Sequence, residues 1–561
     1  MQQHNCDVLV LGASIAGLRA AIEAHDKGAD VIIIGRRGST TASAAGICAA
    51  LSDEDNWMLH TADTLKQGCF LNDCRAVEVL CKNAPAAVME LQEFGVDFAK
   101  DNDRLAQRFL GGHTYRRACF VADHTGAAAE AALANQAEKR KIQFLENMYI
   151  TSLTKHEGSV SGAVGFDTKT NDTVAFNSKT VVIAAGGCSQ IYKRSTRPME
   201  NTSNGISLAF EAGAELQDME MVQFHPTGMV WPKAVDGALV TEAVRAEGGI
   251  LYNDKGERFM EDYDSINKEL GPRDVVARAI QQEIASGKGS RHHGVWLDIR
   301  HKELGHIMER LPSVYGQFLK HGIDITKDFI EVAPSAHFSM GGIRVGLDGR
   351  TSVQGLYAAG EAAAGLHGAN KLGGNSLAEA MVFGKIAGRA AAENAKQTKL
   401  TETDYSEIMS KAKKAHLSKS SSENVQKMKK HLQEIMWRHA GIVRSAEGLH
   451  TALRHIEAMK KKVYKMQASA NRDPDFWNLN NMIIAAEAVA RSALLRKESR
   501  GAHFRKDYPV QDDRMLFNIV CQNDNGMKLR TVKVPHPHEQ LLRTIKNMPE
   551  PRYETDIENE Q

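Results

Sequence analysis

The sequence predicts an α/β fold: a nucleotide-binding domain interrupted by inserted segments, then a helical region and a tail. Three observations carry this expectation. First, residues 7–11 (DVLVL) form a short apolar run, the turn GASIAG follows, residues 18–27 show helical spacing, and residues 31–34 form a second apolar run. A strand, a glycine turn, a helix and a second strand in so short a stretch read as a βαβ unit. Second, the apolar runs 180–185 (TVVIAA) and 355–359 (GLYAA) also end in glycine, at Gly186-Gly187 and at Gly360. They lie far from the first unit and from each other, so one sheet must collect strands across insertions. Third, from Asp404 to Met466 the chain is polar, Lys-rich and helix-periodic.

Size and composition agree. A chain of 561 residues exceeds the ~250–300 residues at which single cores divide. Its 70 Lys and Arg balance 69 Asp and Glu, which gives no electrostatic case for nucleic acid or an anionic membrane surface. No charge-free apolar stretch reaches the ~18–20 residues that span a bilayer, and the start, MQQHN, has no basic n-region. A cytoplasmic location is expected, with membrane association only through partners. Eight cysteines are too few for a disulfide scaffold. Cys69, Cys74 and Cys81 match neither zinc nor plant-type iron–sulfur spacing and read as plain thiols; no metal site is expected.

In order along the chain, the first turn supplies the positions of a dinucleotide fingerprint. Gly12, Ser14 and Gly17 stand where glycines permit a tight turn, close approach of a pyrophosphate, and helix-on-strand packing. Ser14 replaces the middle glycine; Ile15 and Ala16 open the helix. After the second strand, Gly35, Arg36 and Arg37 stand where an acidic ribose ligand is usual, which argues against a standard NAD site. Residues 38–46 (GSTTASAAG) are almost all small or hydroxylated. Such a segment lets backbone approach a flat cofactor, with Ser39, Thr40, Ser43, Ala44 and Gly46 lining it. Ala185 and Gly186 end the second strand, and Gly360 with Glu361 ends the third, Glu361 being a candidate ribose or ribityl ligand. In residues 366–388, Ser376 and Glu379 read as a capping box opening a helix to about residue 393. Asn375, Ser376 and Leu377 then sit at a helix N terminus, whose partial positive charge would stabilise an anionic ring edge. Further on, SKSSSE (418–423) reads as a loop, residues 432–465 and 482–497 as helices of a separate bundle, and MLFNIV and LRTVKV as strand-like runs of a β-ribbon or partner-facing tail.

Four constellations stand out between the halves of the nucleotide-binding domain: QFHPTG (223–228), LVTEAVRAEGG (239–249), ELGPRDVVARAI (269–280) and APSAHFSMGG (333–342). With HGANKLGGNS (367–376), GGHTYRRACFVADHTG (111–126), MWRHAGIVR (436–444) and ESRGAHFRKDYP (498–509), they form an ordered set. The set resembles the flavoprotein subunit of succinate dehydrogenase and fumarate reductase, and its relative L-aspartate oxidase, from Asp7 to about Asp513.

The resemblance implies a Rossmann-like FAD-binding domain (1–222 and 343–398) interrupted by an α+β capping domain (223–342). A C-terminal helical domain (399–513) and a tail (514–561) that could dock a partner would follow. It implies FAD as cofactor, a small carboxylic acid as substrate, and an iron–sulfur protein as electron partner, with a small donor as the alternative. His225, Thr241, His337 and Lys371 would hold substrate carboxylates. Arg273 would be the proton donor, with Glu242 and Arg245 as its relay. Clamping both carboxylates of a C4 dicarboxylate would polarise its double bond toward hydride.

Three departures matter. Lys371 stands where the family usually has Arg, and lysine offers a point charge in place of a bidentate fork, so a different α,β-unsaturated acid is an alternative substrate. Thr40 stands where respiratory members carry the histidine that bonds FAD, so non-covalent FAD is expected, favouring reduction over succinate oxidation. Ser14 is the third. L-aspartate oxidase is the main alternative; it usually ends near the 498–509 motif, so the segment from Arg514 to Gln561 counts against it. A nicotinamide-linked reductase lacks a second dinucleotide fingerprint here, and a non-catalytic assembly role is at odds with the intact His225, Glu242, Arg245, Arg273 and His337 set.

Overall fold

The computed structural model describes residues 2–36, 45–401, 419–466 and 472–549. Its central sheet has the strand order 143–145, 31–34, 2–11, 173–183, 159–167, 148–156, and strand Leu356–Ala358 also pairs with Thr173–Ile183. Strand Gln2–Leu11 lies parallel to both Val31–Ile34 and Thr173–Ile183. Its last residues, Val8 to Leu11, are buried, as expected of a parallel strand covered on both faces. The strand at 173–183 divides its partners. Residues 181–183 pair with 356–358 in parallel, and residues 173–177 pair antiparallel with 159–167. The domain therefore closes only when chain from both sides of a long insertion meets.

Helix closure repeats this. Helix Asn375–Gln397 packs on helix Ile15–Asp26 through small residues. A Cβ on Gly388 would lie 2.2 Å from the Ala20 carbonyl oxygen, and one on Gly384 2.7 Å from that of Ala16.

The insertion forms an antiparallel sheet of strands Val222–Met229, Ile330–Ser339, Val295–Asp298 and Ile250–Tyr252. Helix Arg273–Glu283 packs against it, with Val276, Ala279 and Ile280 in a core shared with Val295, Leu297 and Val332.

The C-terminal region departs from expectation in four ways. The 418–423 segment is not a loop through its length, since a helix spans Lys419–Ala440. The stretch 432–465 is two helices, that one and Ala446–Met466. The buried Arg444 guanidinium donates to the Gly441 carbonyl (2.9 Å) and to that of Glu220 (2.7 Å), drawing the backbone out of helical register. The last helix runs Pro474–Leu495, eight residues earlier than the spacing suggests, because Asp473 caps it and Pro474 fits its first turn. Nor do the helices stand apart: Met436, Leu479 and Met482 share one core with Phe176 and Phe224.

The tail is also packed. Strands Phe517–Asn523 and Met527–Lys533 form a hairpin that pairs with Leu216–Gln217. The Asp218 carboxylate accepts from the Ile519 amide (2.8 Å) and the Asn518 side chain (2.6 Å). Helix Glu539–Lys546 buries Leu541 near helix Trp57–Gln67. The eight cysteines are free, seven of them buried and Cys69 partly so. Among the described residues no three His, Cys, Asp or Glu side chains converge as a metal site, and no helix is long and apolar enough to cross a membrane.

His60, His113 and His503 have no solvent exposure. Burial, with the Arg117 guanidinium near the first two and Arg444 near the third, holds each below the ordinary imidazole value of 6.5, His113 at about 4. The unfolded chain binds these protons first, so their contribution is complete above pH 6.5 and is lost as pH falls toward 4. Thermal or denaturant unfolding across that window is expected to show stability falling by up to ~1.4 kcal/mol per pH unit for each histidine. A stability flat down to about pH 5 would contradict it.

Candidate active site

One elongated cavity runs from the first glycine turn to the inserted sheet. At its dinucleotide end, Gly12 has φ +118°, and a Cβ there would lie 2.2 Å from the Ala184 carbonyl oxygen. A Cβ on Gly17 would lie 1.9 Å from the Gly12 oxygen, so Gly17 serves close packing and does not line the cavity. Ser14 needs no glycine: its φ of −79° is ordinary, and its hydroxyl donates to the Ala184 carbonyl at 3.3 Å. Ser14, Ile15, Ala16, Gly46, Ala185, Gly186, Gly360, Ser376 and Leu377 all line the cavity. Arg36 lies at its exposed rim, paired with Glu200 at 3.2 Å. Ser39, Thr40, Ser43 and Ala44 lie outside the described residues.

Two cofactor-side expectations change. Asn375 turns its side chain into the wall, where its oxygen meets His60 Nε2 (2.8 Å) and its amide donates to Thr64 (2.9 Å). The capping box does not form. The helix is capped by Gly374 in the left-handed region at φ +78°, and Glu379 instead meets His367 Nε2 at 2.9 Å. The helix also ends at Gln397, four residues beyond the expected stop.

The wall fits a dinucleotide cofactor on its own terms. Gly186 has φ +77°, where any Cβ would be strained and would meet the Asn201 amide nitrogen at 2.6 Å. The Asn201 side-chain oxygen is buried with no hydrogen-bond partner among the described residues, in a residue that lines the same cavity. Glu361 accepts from the Ser339 amide (3.2 Å) and pairs with Arg197 (2.7 Å). Burial raises the Glu361 carboxyl above the usual carboxylate value, against the pull of Arg197.

The far end is lined by His225, Thr241, Glu242, Arg273, His337 and Lys371. Distant elements supply them. His225 is on strand Val222–Met229, His337 on Ile330–Ser339, and Arg273 opens its helix behind Pro272. Glu242 precedes the short helix Ala243–Ala246. Arg273 donates to Glu242 from Nε (2.7 Å) and Nη2 (2.6 Å), and from Nη1 to the Gln223 oxygen (3.1 Å). The Gly111 amide donates to the other Glu242 oxygen at 2.6 Å. Gln223 in turn donates to Asn370 (2.6 Å) and the Lys371 carbonyl (2.9 Å), and Asn370 donates to Asp274 (2.7 Å). The inserted sheet and the 367–376 turn are thereby joined at the site.

Arg245 does not line the cavity. It lies behind Glu242, Nη2 to Oε2 3.9 Å, and its buried Nε and Nη2 have no hydrogen-bond partner among the described residues. Burial alone would raise the Glu242 carboxyl, but the two guanidiniums hold it well below the usual range. Burial, reinforced by Arg273 and other cations, pushes His225, His337 and Lys371 below their ordinary values. The Lys371 ammonium lies 4.9 Å from the Phe338 ring centre.

Sequence reasoning does not assign Gln223, Asn370, Arg197 or the Gly111 amide. Gln223 and Asn370 stand inside the QFHPTG and HGANKLGGNS motifs, which is the signal that could have found them. Arg197 lies in an irregular turn with no periodic signal.

Comparison with known proteins agrees with this fold. The family described as "FAD binding domain" matches residues 7–377, and that described as "Fumarate reductase flavoprotein C-term" matches residues 429–547. A subunit of the CoM/CoB fumarate reductase of Methanothermobacter marburgensis is 40% identical, over 90% of this chain and 95% of its own. The succinate dehydrogenase flavoprotein subunit of Rickettsia bellii is 36% identical, covering 91% of each. The solved quinol fumarate reductase FrdA of E. coli superposes with a TM-score of 0.87 at 30% identity, covering 95% of this chain and 97% of that one. The second family match includes most of the tail, which is therefore a family feature and not an added extension.

Replacing Glu242 by Gln would leave Arg273 and Arg245 without their shared anion. Breaking a buried pair in this way is expected to lower unfolding free energy by about 3–5 kcal/mol, read by denaturant titration. A loss below about 1 kcal/mol would mean the guanidiniums are neutralised elsewhere.

Proposed function

Because the chain belongs to the flavoprotein-subunit family of fumarate reductases and succinate dehydrogenases, with FAD as its cofactor, we propose that it reduces the carbon–carbon double bond of a C4 dicarboxylate such as fumarate, with Arg273 as the proton donor. The observation that supports this best is the seating of Arg273. Three of its hydrogen bonds fix the guanidinium in the wall of the cavity that His225, Thr241, His337 and Lys371 also line.

The charge balance suits a dianion. Among the described residues, Arg197, Arg273 and Lys371 line this end of the cavity with Arg245 close by, beside the carboxylates of Glu242 and Glu361, while Glu200 is paired with Arg36 at the far rim. His225, Thr241, His337 and Lys371 bind and orient the two carboxylates, and water is excluded by the burial of all but His337. When bound, FAD supplies the hydride. Arg273 gives a proton to the adjacent carbon; an arginine is a weak acid in water, but Glu242 aims this one, and the neutral guanidine left after transfer is a strong base that takes a proton back. Glu242, with Arg245 Nη2 3.9 Å from its Oε2, relays the replacement proton, which solvent ultimately supplies.

Thr40 offers no imidazole for a covalent flavin bond, so FAD is held by the cavity wall alone. Electrons reach the flavin from a partner protein, for which an iron–sulfur protein is the fitting class, and any membrane attachment comes through such partners. Lys371 gives a less directional grip than arginine, which makes a related unsaturated acid the second reading of the substrate.

Anaerobic photoreduction followed by addition of unsaturated acids tests the proposal. Fumarate, or a close C4 analogue, should reoxidise the flavin; failure of every acid in such a panel would refute the assignment. Arg273→Ala should slow that reoxidation roughly 10²–10⁴-fold with flavin content unchanged, and near-normal rates would remove Arg273 from the donor role. Acid precipitation should leave all flavin in the supernatant; flavin retained on the pellet would show a covalent link.

A further inference from the structure

The histidine at the substrate end of the cavity is held in an unusual way, and resting on the dicarboxylate reading above, we infer that Thr196 is a positioning residue whose hydroxyl fixes the tautomer of His337, so that Nε2 carries the proton offered to a substrate carboxylate.

Strand register sets this histidine apart. Strands Val222–Met229 and Ile330–Ser339 pair Gln223 with Phe338 and Phe224 with Ala336, and so skip His337. A bulged residue is re-aimed and its main chain is left out of the ladder. Here the freed His337 carbonyl accepts from Arg197 Nε at 2.7 Å. The neighbouring turn is zipped to the strand on the other side. The Thr196 amide donates to the Ala336 carbonyl (2.9 Å), the Ala336 amide donates to that of Arg194 (3.0 Å), and Ser195 bridges Ala336. Backbone contacts on both sides of Thr196 thus determine where its hydroxyl stands, 2.8 Å from His337 Nδ1.

That hydroxyl has one proton and two acceptors in reach: His337 Nδ1 at 2.8 Å and the Ala336 carbonyl at 3.4 Å. The shorter contact is the normal length for such a bond and the longer one is weak. The charged and titratable groups facing the ring are Arg197, His225, Arg273 and Lys371, each of which disfavours an imidazolium. In a neutral ring whose Nδ1 accepts, Nε2 must be the N–H. His225 shows the contrast. Its Nδ1 is 3.2 Å from both the amide and the carbonyl of Thr227, and the Thr227 hydroxyl is donated to Val240, so no single tautomer is selected there. Thr196 itself does not line the cavity and acts only through His337.

The holoproteins of wild type, Thr196→Ser and Thr196→Val are titrated with fumarate, following oxidised-flavin absorbance between about pH 7 and 9, where the ring is neutral. Wild type and Thr196→Ser should bind alike with little pH dependence. Thr196→Val should bind about tenfold more weakly, the cost of one misdirected hydrogen bond, and by the same factor across the range, because burial and the facing cations keep the ring neutral. Should Thr196→Val lose its flavin, Thr196→Ala replaces it with the same expectations. Equal binding by the valine variant at every pH overturns the inference alone, as does equal, pH-independent weakening in both the serine and valine variants. A wild type whose flavin responds to no C4 dicarboxylate overturns the substrate reading and this inference with it.

Discussion

Glu242 holds a carboxylate out of reach of water between the Arg273 and Arg245 guanidiniums, and none of the three charges can be withdrawn without stranding another. Much of the molecule serves that arrangement. The Gly111 amide comes from the cofactor side, Arg273 from the first residue of a helix in the insertion, and Gln223 from a strand that reaches across to residues 370 and 371. A buried ion pair of this kind adds little net stability over an apolar equivalent. Its value is geometric: it allows one placement of the Arg273 fork relative to the cavity.

The parts of this design that were legible in the sequence are those encoded locally. Gly12 and Gly17 are required by a left-handed turn and by a helix crossing almost in contact with the chain beneath it, and both needs follow from the residues themselves. The histidine, arginine and glutamate motifs were legible because an ordered set of them marks a family, though nothing in their spacing said they would meet. Features decided by distant partners were not legible. The helix break near residue 441 depends on Arg444 reaching Glu220. Asn375 faces into the wall because His60 and Thr64 wait there. Glu379 abandons its capping role for His367. The bulge at His337 exists only in the pairing of two strands more than a hundred residues apart.

The C-terminal hairpin shows how support reaches the site from outside. It pairs with residues 216–217, just before the strand that carries His225, and Asp218 between them is held by Ile519 and Asn518. Burial and the neighbouring Glu220 push the Asp218 carboxyl up to about 7, and Arg496 answers both acids by pairing with Glu220 at 2.7 Å and lying 3.7 Å from Asp218. What looks in sequence like a free tail is a buttress behind the strand that carries His225.

The glycine-lined contact between helix Asn375–Gln397 and helix Ile15–Asp26 has a consequence for how the protein is made. On a ribosome adding about 5–20 residues per second, the first βα unit emerges long before the helix that covers it. For something on the order of half a minute its apolar face has no native cover, and the cradle for the nucleotide is incomplete. The nucleotide cradle is therefore completed only after the inserted segment has been made, an order set by topology.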